Sequence, residues 1–204
     1  MKLLVATRNR GKIRELARLL AELPDVELVG LDELPPVPEV IEDTGTFEGN
    51  AAKKAREVAR ATGLPALADD SGIEVDALHG APGVDSALYA GRHGDDEANN
   101  AKLLAELEHV PDAERTARFR CVLAFADPRG ALGDAVHLEH GVVEGSILRA
   151  PRGENGFGYD PLFLLRGDVR TTAELAPDEK NAISHRAEAA RKMCVFLRGY
   201  LLGR

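Results

Sequence analysis

The sequence predicts a mixed α/β fold. Short apolar runs that read as strands alternate with stretches whose apolar residues recur every three to four positions, and one pair of runs is spaced as antiparallel partners. No repeat, low-complexity tract or long linker interrupts the alternation, so the 204 residues are expected to form one domain or two closely packed lobes. Leu3–Ala6 reads as a buried strand, Thr7–Gly11 as a loop, and Lys12–Leu23 as a helix with Ile13, Leu16, Ala17, Leu20 and Leu23 on one face, ended by Pro24 and Asp25. A Pro-rich acidic loop, Leu34–Gly45, precedes a helix over Phe47–Ala61, with Thr44 or Thr46 placed to cap it and Gly63 to stop it. A strand from Ala66 is expected to meet a tight turn at Ser71-Gly72, and a further strand spans Ile73–Ala77. Glycine-rich turns over His79–Gly94 lead to a helix at Asp95–Leu107. Phe119, Cys121, Leu123 and Phe125 alternate along a strand at Arg118–Ala126, with Val136–Val143 as its antiparallel partner. A glycine-rich loop at Pro151–Pro161 and a short strand at Leu162–Leu165 precede a last helix with Ile183, Ala187, Ala190, Cys194, Leu197 and Leu201 on its inner face.

Composition narrows the function. With 44% hydrophobic and 29% charged residues, the chain suits an ordinary globular protein with a sizeable core. Its formal charge of −8 argues against a broad nucleic-acid surface or an anionic membrane as partner, so any polyanion should be small and met by local Lys and Arg. Cys121 and Cys194 stand far apart, which suits reduced core residues better than a zinc cluster or a disulfide scaffold. The apolar start is too short for a signal peptide and no run approaches the ~20 residues that span a bilayer, so a cytoplasmic location is expected.

The chemistry concentrates in four segments. Ala66–Gly72 delivers adjacent carboxylates, and neighbours in a strand face opposite ways, so Asp69 and Asp70 should divide their roles unless the turn re-aims one. Asp70 is the candidate for the carboxylate that meets metal and water, with Asp69 tying down the turn or assisting behind it; by itself the cluster also suits a plain turn. Thr7-Arg8-Asn9-Arg10-Gly11-Lys12 lies between strand and helix, where backbone N–H groups, the helix dipole and Lys12 suit an anion, or a plain connecting turn. It lacks Walker A spacing, since Ala6 and Ile13 stand where that motif needs Gly and Ser or Thr. Lys54 could add a second cation, and Glu42 or Asp43 a second oxygen ligand for an ion held by Asp70; Mg²⁺ needs only ~1–2 carboxylates beside phosphate and water. Phe157, between Gly156 and Gly158, offers a stacking face to a planar base or else packs in the core. Lys180-Asn181-Ala182-Ile183-Ser184-His185-Arg186 places donors at the start of the last helix, which Ser184 could cap.

These segments, together with Thr46-Phe47-Glu48-Gly49-Asn50-Ala51 and Gly80-Ala81-Pro82-Gly83-Val84, closely resemble the inosine/xanthosine triphosphate pyrophosphatases, and the match runs nearly end to end. One departure is Leu88, in a stretch where that family often has Arg, which leaves open a phosphate or dimer contact. The resemblance implies a long mixed sheet joining two lobes of a single domain over residues 1–204, a substrate cleft between them, and a homodimer. It implies Mg²⁺-dependent cleavage of XTP, ITP and dITP between the α and β phosphates, giving monophosphate and pyrophosphate. By motif, Thr7, Arg8, Asn9, Arg10, Gly11, Lys12 and Lys54 would hold the triphosphate, and Asp70 would serve as catalytic carboxylate and metal ligand. Glu42, or Asp43, would be the second ligand, and Ser71 would touch substrate. Phe157, Gly158, Tyr159, Asp160, Lys180, His185 and Arg186 would form the base pocket. Groups there would donate to O6 of inosine or xanthosine and leave adenine's amine unmatched. The rivals are a phosphotransferase built on Lys12, a Nudix hydrolase, disfavoured because paired glutamates do not follow Arg14-Glu15, and a non-catalytic nucleotide sensor.

Overall fold

A computed structural model describes residues 1–23 and 26–202. The strands are β1 (Lys2–Val5), β2 (Glu27–Gly30), β3 (Ala66–Val75), β4 (Thr116–Ala126), β5 (Val136–Ile147) and β6 (Phe163–Leu165). The helices are α1 (Arg10–Leu19), α2 (Phe47–Thr62), α3 (Asp96–Glu106), α4 (Pro177–Ile183) and α5 (His185–Leu202). The sheet runs β2-β1-β3-β4-β5-β6, with β1 parallel to both its neighbours and β6 antiparallel to β5. That mixture is the α/β architecture expected. Strand β2 was not anticipated; its signal was the Glu27-Leu28-Val29-Gly30 alternation.

The chain divides into two compact units. The first holds Met1–Asp70, Cys121–Gly141 and Arg186–Arg204, and the second Ser71–Arg120 and Val142–His185. In the first, Leu3, Val5, Leu16, Leu20, Leu67, Leu123, Phe125, Ala190, Met193 and Leu197 form the core. Both cysteines belong to this core, reduced and buried. In the second, Ile73, Val75, Leu103, Leu107, Phe119, Leu162, Phe163 and Leu175 cluster.

Local chemistry accounts for the helix ends. Thr46 caps α2 by accepting from the Gly49 N–H at 3.1 Å, and Gly63 ends that helix in the left-handed region at φ 69°. Helix α1 stops at Leu19, short of the expected Leu23, although Leu20 and Leu23 remain buried in a tight turn; Pro24 and Asp25 lie outside the described residues. The last helix is two. Ser184, with extended backbone at ψ 159°, closes α4 and stands immediately before the first residue of α5, and Ile183 is exposed instead of facing inward.

The expected turn at Ser71-Gly72 is absent, and β3 runs straight through it. Gly72 is there for space: a Cβ would overlap the Gly83 carbonyl and the Ser86 hydroxyl. Ser86 stitches that contact by accepting from the Ile73 N–H at 2.9 Å and donating to the Gly83 carbonyl at 2.5 Å.

Candidate active site

Because β3 is uninterrupted, Asp69 and Asp70 point to opposite faces of the strand, and their surroundings differ accordingly. Both are buried. Asp69 is enclosed by cations: Lys12 Nζ lies 2.5 Å from Oδ1 and Arg186 Nε 2.7 Å from Oδ2. Burial pushes the Asp69 carboxyl up, but Arg186 and Lys12 outweigh it and hold the group well below the usual range. The Cys121 thiol also donates to Asp69 Oδ2 at 3.3 Å, and burial with this anion raises its own pKa well above normal.

Asp70 has the opposite environment. Burial drives its pKa to about 7 despite Lys54 and Lys12, with Glu42 and Asp69 adding to the rise. Its Oδ2 is buried and accepts no hydrogen bond among the described residues. Lys54 Nζ stands 3.9 Å from Asp70 Oδ1, 2.7 Å from Glu42 Oε1 and 3.2 Å from the Asp69 carbonyl. Asp43 instead pairs with Lys53 at 2.6 Å. Among the described residues no group of three or more His, Cys, Asp and Glu could hold a metal. A hard divalent cation of the Mg²⁺ type needs no such cluster, because ~1–2 carboxylates with water and phosphate oxygens suffice. The orphaned Asp70 oxygen, with Glu42 on the same ammonium, is the donor set that fits it.

The Thr7–Lys12 segment folds around Asn9. The Asn9 Oδ1 accepts from the Gly11 and Lys12 N–H groups at 2.9 and 3.1 Å, so two backbone donors expected for an anion are used in capping α1. Thr7 Oγ1 accepts from Asn9 N at 3.2 Å, and Arg8 donates to the Val37 carbonyl at 3.0 Å. Arg10 is exposed on the first turn of α1.

Arg186 stands at the start of α5, 1% exposed, with two of its nitrogens committed to Asp69 and to Glu15 of α1. Burial would lower its pKa, but Asp69 and Glu15 raise it, so it is permanently charged. Arg186, expected in the base pocket, is thus also tied internally to Asp69 and Glu15. Glu15 was missed as its partner, although it lies one helical turn after Lys12.

In the second unit, Asp160 organises the glycine-rich loop. Its Oδ2 accepts from the Phe157 N–H at 2.9 Å and from Lys180 Nζ at 2.5 Å, and its Oδ1 from the Thr172 hydroxyl at 2.8 Å. Tyr159 is also buried and donates to the Ser86 carbonyl at 2.8 Å. Both residues thus face inward, leaving Phe157 and Gly158 partly exposed, with Lys180 Nζ 4.8 Å from the Phe157 ring centre. His185 stacks on Phe119 at 4.9 Å between centroids. Thr172 escaped the sequence reading because nothing local links it to residue 160.

Comparison with known proteins converges on one lineage. A dITP/XTP pyrophosphatase of Geobacter sulfurreducens is 55% identical over 188 residues, covering 92% of each chain. One from Desulforamulus reducens is 55% identical over 97% of this chain and 96% of its own. The solved structure of a HAM1 protein from Coxiella burnetii superposes with a TM-score of 0.87 at 44% identity, covering 98% of this chain and 99% of that one. The family model described as the Ham1 family matches residues 3–196, a span that takes in every site residue described above, and the chain belongs to that family.

Proposed function

We propose that this protein is a Mg²⁺-dependent pyrophosphohydrolase that converts dITP, ITP and XTP to the nucleoside monophosphate and pyrophosphate, keeping them out of DNA and RNA. The observation that carries the reading is Asp70: a buried carboxylate poised near neutrality, with one oxygen unclaimed, among Lys12, Lys54 and Glu42. The names of its relatives, dITP/XTP pyrophosphatases, support the substrate class.

Hydrolysis forms a bond from water oxygen to the α-phosphorus and breaks the bond to the bridging oxygen, which leaves with pyrophosphate. Asp70 accepts the water proton, and a group with pKa near the working pH suits that exchange. Lys12 and Lys54 would neutralise the phosphates, and Thr7, Arg8, Arg10 and Ser71 would bind substrate by the family's motifs; Asn9 and Gly11 set the turn that carries Lys12. Glu42 and Asp70 would hold Mg²⁺, which when bound supplies charge neutralisation on the phosphate oxygens. Glu42 is preferred over Asp43 because it shares Lys54 with Asp70. Arg186 and Glu15 keep Asp69 in place beneath Lys12. For the base, Phe157 provides a stacking face and Lys180 and His185 donors for O6, while Tyr159 and Asp160 hold the loop. The protein would act in the cytoplasm as a homodimer, checked by sedimentation.

The test is incubation with Mg²⁺ and dITP, ITP, XTP, ATP or GTP with products resolved. Monophosphate and pyrophosphate from the first three, with little from ATP and GTP, are expected. Diphosphate products would point to a phosphotransferase, and binding without turnover to a sensor.

A further inference from the structure

We infer that helix α3 controls base selection from behind: Asp96 and Asn100 are positioning residues that grip the Gly158 peptide and so fix the ring of Phe157. The inference rests on the proposed base-binding role of Phe157. One turn apart, these two side chains share a face of α3. Asp96 Oδ2 accepts from the Gly158 N–H at 2.6 Å, and Asn100 Nδ2 donates to the Gly158 carbonyl at 2.9 Å. The carbonyl can only accept, which fixes the orientation of the Asn100 amide.

The loop needs this grip. Gly156 and Gly158 flank Phe157 with φ of 81° and 62°, a region glycine enters freely and leaves as freely. Downstream, Tyr159 and Asp160 are anchored by Ser86, Thr172 and Lys180. At Gly158 a side chain would meet only open space, so packing does not hold it. Phe157 itself is held by Asp160, through its N–H at 2.9 Å and its carbonyl at 3.3 Å, and the hydrogen bonds from α3 add a restraint on the next residue.

Asn100 supports the inference because it is a poor local choice. Asn is a weak former of helix interiors, and its Oδ1 is buried without a hydrogen-bond partner among the described residues. A residue that opposes local preference and leaves an acceptor unsatisfied is retained for a contact elsewhere, and its contact is Gly158. Asp96, in the first turn of α3, suits the helix dipole by itself, but that does not account for its aim at the Gly158 N–H.

The test uses Asn100→Ala, Asn100→Asp, Asp96→Ala and the conservative Asp96→Asn. Asn100→Asp keeps the shape but cannot donate to a carbonyl when ionised, whereas Asp96→Asn keeps an acceptor. The first three should raise KM for ITP ~5–30-fold, the scale of one lost hydrogen bond, with kcat within about two-fold and a narrowed preference for ITP over ATP. Asp96→Asn should stay within about two-fold of wild type, and pyrophosphate inhibition should be unchanged throughout. The chain has no tryptophan, so Phe157→Trp provides a single reporter; adding Asn100→Ala, Asn100→Asp or Asp96→Ala should lower its fluorescence anisotropy without any nucleotide, and adding Asp96→Asn should not. Unchanged anisotropy, unchanged KM, or a KM change matched by equal loss of pyrophosphate binding would overturn the inference. A wild-type protein that does not hydrolyse ITP would instead sink the proposed function, and the ligand-free anisotropy would still decide whether α3 holds the ring.

Discussion

Two adjacent aspartates carry the same side chain and behave oppositely because of what each faces. Asp69 is held ionised between Lys12 and Arg186, and its oxygens are occupied; Asp70 is desolvated with one oxygen unclaimed. Asp70→Asn should lower kcat ~10²–10⁴-fold in steady-state assays while leaving the fold intact. Removing Arg186 is a structural insult of a different kind, since Asp69 and Glu15 lose the cation they share. Arg186→Met should cost ~3–5 kcal/mol in urea unfolding, and a loss below ~1 kcal/mol would show that the buried pair contributes little. Phe157→Ala should raise KM for ITP and leave pyrophosphate inhibition alone; an unchanged KM would remove Phe157 from the base site. The pairing of Asp69 with a residue 117 positions away was not legible in the sequence, because a buried ion pair leaves no local period. The Asp-Asp-Ser-Gly run itself made Asp70 a candidate and suited a plain turn as well.

At the scale of elements, periodicity located α2, α3, β1 and β4 because an apolar stripe must repeat at the pitch of the element that buries it. It failed where a glycine had two possible causes. Gly72 looked like a turn and is a spacer, packed under Gly83 and Ser86 from a part of the chain that sequence patterns do not connect to it. Gly72→Ala should destabilise the protein by ~1–3 kcal/mol in thermal melts, since neither the carbonyl nor the hydrogen-bonded hydroxyl can give way easily. Thr46→Ala should cost ~0.5–2 kcal/mol through loss of the α2 cap, and Thr46→Ser should recover most of it.

For the whole molecule, the same pair of aspartates sets opposing pH responses. The folded pKa of Asp70 lies at about 7 against an ordinary value of 3.8, so its contribution to stability is present at acid pH and lost as pH rises through about 7. Asp69, depressed in the fold, contributes above the ordinary carboxylate range and loses that contribution as pH falls. Without metal, Asp70→Asn should therefore be more stable than wild type at pH 8, by at most ~4 kcal/mol at ~1.4 kcal/mol per pKa unit, and equal to it near pH 4. Chemical denaturation across that range measures the difference; a constant offset would show that Asp70 ionises normally. Added Mg²⁺ should reverse the order at pH 8 by stabilising only the wild type.

The sequence by itself determined the α/β class and the family, and it supplied Lys12, Lys54 and Asp70 as candidates, because strand and helix periods and short motifs are local and survive without coordinates. Only the tertiary structure decided which aspartate is locked by cations and which is left open. It also decided that Arg186 pairs with Asp69 and Glu15, that Tyr159 and Asp160 face inward, and that Asp96 and Asn100 of α3 hydrogen-bond Gly158. Each of these depends on groups distant in the chain meeting inside the protein, where burial makes a hydrogen bond or a charge matter most.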